Sequence, residues 1–226
     1  MMYRYLSILF SLKVSAGIFI LLSGCVDTDT DINTFSFPPE WAVQEAVWTD
    51  FASERVFIPN QGAKLKIIAA LSRHIATKVV YDSDSLKQLA LNELPRMEAD
   101  LANISFVKTS SPMNWIRDPG PMFITNGNQL KVLDFGWNCY GHAYDCDGDL
   151  RGEVDVELAY GMGLEIEPVD LFLEGGGIEV SNNTIIAYKA MASQRNPDKS
   201  IEDVNHILLR ALGKDQIIWL DEFPLI

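Results

Sequence analysis

Two short segments of this sequence place chemically useful residue types where the backbone is held tightly. The first is Asn114-Trp115-Ile116-Arg117-Asp118-Pro119-Gly120-Pro121. Two prolines and a glycine fix the chain around an indole, a guanidinium and a carboxylate, and rigid irregular loops of this kind are where proteins put sites. A structural Arg117–Asp118 ion pair beside a core Trp is the plainer reading of the same residues. The second segment is Leu173-Glu174-Gly175-Gly176-Gly177-Ile178-Glu179-Val180. Three glycines after a carboxylate let backbone approach a ligand closely. The Lys-Ser/Thr ending of a phosphate loop is absent, and a simple strand-to-hairpin turn with a solvated Glu174 is the bland alternative. Two carboxylates on separate glycine-bearing loops suggest a cation clamp, because a planar guanidinium with five N–H donors matches carboxylates bidentately. A glycosidase also uses two carboxylates, so the pair alone does not choose a reaction.

Other candidates carry less. Cys139-x2-His142-x3-Cys146 offers three zinc ligands where four are normally needed, so a local Cys139–Cys146 disulfide is the better expectation. Asp145-Cys146-Asp147-Gly148-Asp149 looks calcium-like, but its glycine is out of register and Val156 stands where the last carboxylate belongs. His74 and His206 lie in helical stretches and read as surface or packing residues. No serine nucleophile elbow is present. The residues call for no metal and no cofactor.

The elements around these segments follow from periodicity. Gln61–Ala76 carries Leu65, Ile68, Leu71 and Ile75 on one helical face, and Lys78–Tyr81 reads as a strand. Ser85–Leu101 is helical with an interruption at Pro95, followed by a strand at Ile104–Val107. Pro121–Ile124 and Leu130–Phe135 flank Asn126-Gly127, and Ile178–Val180 and Thr184–Tyr188 flank Asn182-Asn183, which predicts two hairpins. Ser200–Leu212 is a helix with Ser200 and Asp203 at capping-box spacing and Gly213 as its stop, and Gln216–Leu220 is the next strand. Helices and hairpins in turn define a mixed α/β fold.

The 226 residues are 48% hydrophobic and carry 18 basic against 31 acidic side chains, a net charge of −13. Such a chain buries a sizeable core, and with no basic cluster it is not built for nucleic acid. The N-terminus has Arg4 and Lys13 before an apolar Val14–Leu22 broken only by Ser15 and Gly17, too short to span a bilayer. Leu22-Ser23-Gly24-Cys25 resembles a bacterial lipobox. The organisation expected is a lipoprotein signal peptide at 1–24, a polar tether at 25–36 beginning at a lipidated Cys25, and a domain at 37–226. The protein is then exported and held on the bacterial cell envelope.

Taken together, several blocks resemble the agmatine deiminase and bacterial peptidylarginine deiminase family. They are Phe37-Pro38-Pro39-Glu40-Trp41 with Gln44-Glu45-Ala46-Val47-Trp48, the segment 114–121, Val132-Leu133-Asp134-Phe135-Gly136-Trp137-Asn138, the segment 173–180, and Gln194-Arg195-Asn196-Pro197. The resemblance implies a pentein fold, a pseudo-fivefold α/β propeller, here incomplete with about three of five units. It implies hydrolysis of a guanidine to a ureido group and ammonia, with a Cys thiolate attacking the guanidinium carbon and a His as acid and base. Carried over residue by residue, it assigns Asp118 and Glu174 to the catalytic grip on the guanidinium and Trp115 to the pocket wall. Arg117 supports the loop. The family's Gly-His-x-Asp block and late Cys have no counterpart in these residues, so the chain reads as a truncated N-terminal part. Its substrate is agmatine or peptidyl-arginine, and the absence of Arg and Lys from 134–150 favours agmatine. A non-catalytic lipid-anchored binder of cationic amines and a decayed fragment are the alternatives.

Overall fold

Strand formation follows the β-branched and aromatic runs, and nine strands among the described residues sort into three sheets of three. The computed structural model describes residues 34–52, 60–110, 115–143 and 151–221. Sheet 1 comes from β1 (Ala46–Asp50), α1 (Gln61–Ser72), β2 (Ala76–Tyr81), α2 (Asp84–Glu93) and β3 (Ile104–Lys108), with all strands parallel. Alternation along β2 sends Val79 one way and Val80 the other, and both are fully buried. Val79 meets Leu65 and Ile68 of α1 and Ala90 of α2.

Two helices are shorter than the apolar periodicity predicts. α1 stops at Ser72, whose hydroxyl donates to the Ala69 carbonyl, because the residues from Ala76 onward pair with β1. α2 stops at Glu93, since Pro95 permits only a 3-10 turn over Leu94–Met97, which Glu98 closes with a left-handed backbone.

Sheet 2 begins with the hairpin of β4 (Met122–Thr125) and β5 (Leu130–Gly136). Gly127 takes the positive φ that the turn requires, and the Asn126 side-chain oxygen accepts from the amides of Asn128 and Gln129. A tight turn, α3 (Cys139–His142), then leads on to α4 (Val154–Met162) and to β6 (Glu165–Phe172), which runs parallel to β5. Sheet 3 repeats this plan. β7 (Ile178–Val180) and β8 (Thr184–Tyr188) form a hairpin, followed by α5 (Lys189–Arg195), α6 (Ile201–Leu212) and β9 (Gln216–Leu220), parallel to β8. The capping box on α6 is present as expected, with the Asp203 amide donating to Ser200 Oγ and the Ser200 amide donating to Asp203, and Gly213 ends the helix in a left-handed conformation.

The helices serve as layers between sheets. α4 lies on β5 and β6 of its own sheet, while its Val154 and Leu158 pack against Val80, Val107 and Trp48 of sheet 1. α6 lies between sheets 2 and 3 in the main core, with Val204 and Leu208 among Leu133, Phe135, Leu171, Ile185 and Ala187. The segment before β1 straps the last two sheets together. Ser36 pairs with Thr125, the Phe37 amide donates to the Leu212 carbonyl, and the Glu40 amide donates to the Val180 carbonyl. Among the described residues no helix is long and apolar enough to cross a membrane.

Candidate active site

Asp118 is set by a turn that closes on itself. Its amide donates to the Trp115 carbonyl at 2.8 Å and the Gly120 amide donates to the Ile116 carbonyl at 2.8 Å. A Cβ at residue 120 would stand 2.1 Å from that carbonyl oxygen, so only glycine fits. Trp115 enters the turn with φ 59°, a left-handed conformation that costs a non-glycine residue about 1–2 kcal/mol. Its side chain is 48% exposed rather than part of the core.

Glu174 ends the strand-to-loop passage after β6 and is 4% exposed. The glycines that follow bring it to Asp118. The Gly175 amide donates to the Asp118 carbonyl at 3.1 Å. A Cβ on Gly175 would lie 2.3 Å from the Arg117 carbonyl oxygen, and one on Gly176 would lie 2.2 Å from Asp118 Oδ1. A Cβ on Gly177 would be 3.9 Å from Glu174 Oε2. Both carboxylates therefore flank one stretch of bare backbone; a side chain at residue 176 would meet the Asp118 carboxylate, while at 175 the Arg117 backbone and at 177 the Met191 side chain, 2.3 Å from such a Cβ, leave no room.

Arg117 fastens the two loops. Its Nε donates to the Gly175 carbonyl at 3.1 Å, and its Nη2 donates to Glu40 Oε1 at 2.7 Å and to the Ile178 carbonyl at 3.4 Å. The expected supporting role fits this geometry, and the ion-pair partner of Arg117 is Glu40 rather than Asp118.

Two further side chains engage the carboxylates, and sequence reasoning assigned neither of them. Tyr140 Oη donates to Asp118 Oδ2 at 2.7 Å. Arg195 Nε donates to Glu174 Oε1 at 2.8 Å, a pair with both side chains almost wholly buried. Tyr140 is delivered by α3, in which Cys139, Tyr140, Gly141 and His142 all have positive φ. Asn138 holds that turn by accepting from the Gly141 amide and donating to the Arg195 carbonyl, and the Trp137 ring meets the Tyr140 ring edge-on at 5.0 Å. The Arg195 guanidinium carbon is 5.9 Å from the Tyr140 ring centroid, so the two helpers touch each other's surroundings. The sequence signal for Arg195 was its place in the 194–197 block. Asn196 beside it anchors the segment by exchanging hydrogen bonds with the Phe172 backbone.

Burial raises the Glu174 pKa above the ordinary carboxylate range. Arg195 opposes the shift and the nearby Asp118 charge adds to it. Glu174 Oε2 is buried and has no hydrogen-bond partner among the described residues. Arg195 already holds Oε1, so Glu174 offers an incoming donor one oxygen rather than the bidentate edge expected from sequence. A recess beside Asp118 is lined by Pro119, Phe135, Trp137, Arg151 and Asp155. A larger cleft of about 290 Å³ lies past Arg117, between Phe37, Glu40, Trp48 and Phe123. Glu174 lines neither of them.

Cys139 is disulfide-bonded, which removes it as a zinc ligand. Cys146, the acidic run 145–149 and Cys25 lie outside the described residues. Among the described residues no group of three or more His, Cys, Asp or Glu is set to hold a metal ion. His74 and His206 are both exposed, and His74 lies just past the end of α1.

Three three-stranded sheets, two of them built on a ββαβ plan, make this chain a partial pentein fold. The chain belongs to the Porphyromonas-type peptidyl-arginine deiminase family, whose profile matches residues 36–224. Agmatine deiminase from Pseudomonas putida strain F1 is 30% identical over 205 residues, covering 83% of this chain and 53% of the relative. Among solved structures, the agmatine deiminase of Enterococcus faecalis superposes with a TM-score of 0.70 at 22% identity, covering 83% of this chain and 53% of that one. The substrate-bound C315S agmatine deiminase of C. jejuni gives 0.67 at 22% identity, covering 83% and 56%. The chain thus spans about half the length of the relatives it matches.

Proposed function

We propose that this chain is the guanidinium-binding N-terminal part of a deiminase that hydrolyses agmatine, or arginine side chains, to a ureido product and ammonia. Asp118 and Glu174 hold the planar cation and Trp115 covers its face. The observation that carries this reading is the convergence of the two acids on Gly175–Gly177, with Glu174 Oε2 buried and unpaired beside them. In this reading a Cys thiolate attacks the guanidinium carbon, ammonia leaves, and water resolves the thiouronium with a His as acid and base. The 226 residues contribute the grip, and neither the Cys nor the His of that step is assigned to them. By themselves they bind guanidinium ligands without releasing ammonia.

Agmatine is favoured over peptidyl-arginine because residues 134–150 contain no Arg or Lys to receive an α-carboxylate end. Calorimetry with agmatine and with an arginine-containing peptide tests this. Agmatine binding that is lost in Asp118→Asn and in Glu174→Gln is expected. No binding, or binding unchanged in both variants, overturns the reading.

Attachment to the bacterial cell envelope through a lipid on Cys25 belongs to the same proposal, resting on the 1–25 layout. Cys25→Ser should move the protein from the membrane to the soluble fraction of producing cells. Retention on the membrane would count against the anchor.

A further inference from the structure

The turn that delivers Tyr140 to Asp118 is held against its own backbone preference. Cys139, Tyr140 and His142 have φ of 54°, 59° and 61°, and Gly141 among them has 71°. Only the glycine takes this region freely, because the Cβ of every other L-residue crowds the backbone there. Three such residues in a stretch of four persist only where surrounding contacts over-determine them. Some of those contacts are hydrogen bonds. The His142 amide donates to the Asn138 carbonyl at 2.7 Å, the Ala143 amide donates to the Cys139 carbonyl at 3.0 Å, and the Gly141 amide donates to Asn138 Oδ1 at 2.9 Å. Another is covalent, for Cys139 is disulfide-bonded and fully buried. It opens the left-handed run and directly precedes the tyrosine whose Oη lies 2.7 Å from Asp118 Oδ2. A Cβ on Gly141 would stand 3.1 Å from the Arg195 side chain, so the same turn lies against the guanidinium that holds Glu174.

We infer that Cys139 is a positioning residue for the guanidinium grip and serves it only in the disulfide form: the bond keeps the 139–142 turn left-handed and so keeps the Tyr140 hydroxyl on Asp118. Reduction by a dithiol supplies two electrons and two protons. The sulfur–sulfur bond breaks, two cysteine thiols form, and the dithiol leaves as a disulfide. The turn then loses its covalent tie, Tyr140 relaxes toward an ordinary negative φ, and its side chain swings off the carboxylate. Asp118 keeps its charge and loses the donor that fixes Oδ2. In a reducing cytoplasm the grip is slack, and oxidation after the export proposed above tightens it. The effect on binding rests on the guanidinium reading of the site; the control of Tyr140 does not.

The test uses the whole chain labelled with fluorotyrosine, the Tyr140 signal in the fluorine NMR spectrum being identified by its loss in Tyr140→Phe. Spectra and agmatine calorimetry are recorded for the oxidised protein, for protein treated with dithiothreitol, and for Cys139→Ala, with reduction verified by the mass of the unfolded, alkylated chain. Dithiothreitol and Cys139→Ala should each move the Tyr140 signal. Each should also weaken agmatine binding about tenfold, the loss that Tyr140→Phe gives by itself. In the Tyr140→Phe background the same treatments should leave affinity unchanged, which a disulfide with a merely structural role would not do. A Tyr140 signal indifferent to both treatments overturns the inference. So does an affinity loss of equal size in the Tyr140→Phe background, or unfolding of the whole domain on reduction. Oxidised protein that binds no agmatine while its Tyr140 signal still responds to dithiothreitol overturns the guanidinium reading and supports the control of Tyr140 by the disulfide.

Discussion

Replacing Arg195 with Met tests the electrostatics on which the site is built. The Glu174 side chain is 5% exposed and Arg195 11%, with Nε 2.8 Å from Oε1. Methionine keeps much of the packing, removes the guanidinium, and leaves both oxygens of a buried carboxylate without a side-chain donor. Taking one partner from a buried ion pair costs about 3–5 kcal/mol, because the remaining charge is stranded. With a urea dependence of about 2 kcal/mol per molar, the unfolding midpoint should fall by ~1.5–2.5 M.

The loss has a definite pH signature. Burial already raises the Glu174 pKa in the folded state while Arg195 opposes the rise, so without Arg195 it climbs further. A carboxyl with a raised folded pKa favours the fold while protonated, and that contribution disappears as pH rises through the folded value. The deficit relative to the parent protein should therefore be largest at alkaline pH and shrink as pH falls toward the ordinary carboxylate range. Glu174→Gln in the same background should recover most of the stability, and Arg195→Lys should fall between the two. A deficit under about 1 kcal/mol at the upper pH, or one that stays flat across this range, would refute the pairing as the force that holds Glu174.

Gly176→Ala places a Cβ 2.2 Å from Asp118 Oδ1 at an exposed position, so the carboxylate must swing away. Agmatine affinity measured by calorimetry should drop at least about tenfold with little change in thermal stability. Tyr140→Phe deletes the donor to Asp118 Oδ2, and a hydrogen bond to a charged group is worth about 1.5–3 kcal/mol, so agmatine binding should weaken ~10-fold or more. Asp155 is buried, with Asp134 and Glu153 adding to the effect, and its pKa is raised to about 7. It is protonated in the fold where the unfolded chain has released its proton, so stability falls as pH rises from the ordinary carboxylate range through that value. Asp155→Asn should flatten this fall and gain up to about 4 kcal/mol above it, read from urea titrations at several pH values. Ser200→Ala removes the capping box of α6 and should cost about 1 kcal/mol, a Tm drop of ~2–4 °C by calorimetry.

What the sequence revealed was mostly local. Asn126-Gly127 and Asn182-Asn183 located both hairpins because turn chemistry is written in adjacent residues, and Ser200, Asp203 and Gly213 bounded α6 for the same reason. β6 was not legible. Its alternation from Glu165 to Phe172 is interrupted by Pro168, which sits in the strand facing Asp134. β1 and α4 were also missed, and the boundary at Ser72 depended on pairing with another strand, which periodicity does not register. At the site, Asp118 and Glu174 stood out because glycine and proline surround them. Tyr140 and Arg195 act from a distance in sequence, 22 residues from Asp118 and 21 from Glu174. Nothing in their immediate neighbours announces a partner, and a tyrosine held by a run of left-handed residues has no compositional mark beyond Gly141.

The reach of Arg117 has a consequence for how the protein is made. One guanidinium joins Glu40, 77 residues earlier in the chain, to Gly175 and Ile178, 58 and 61 residues later. During synthesis the Asp118 turn leaves the ribosome well before the glycine loop it will rest on. Until residue 178 has emerged, the arginine has only its earlier partner, and Gly175 has not yet offered its amide to the Asp118 carbonyl. The acid-bearing loops are therefore joined only after residue 178 has left the ribosome, 60 residues behind the carboxylate of Asp118.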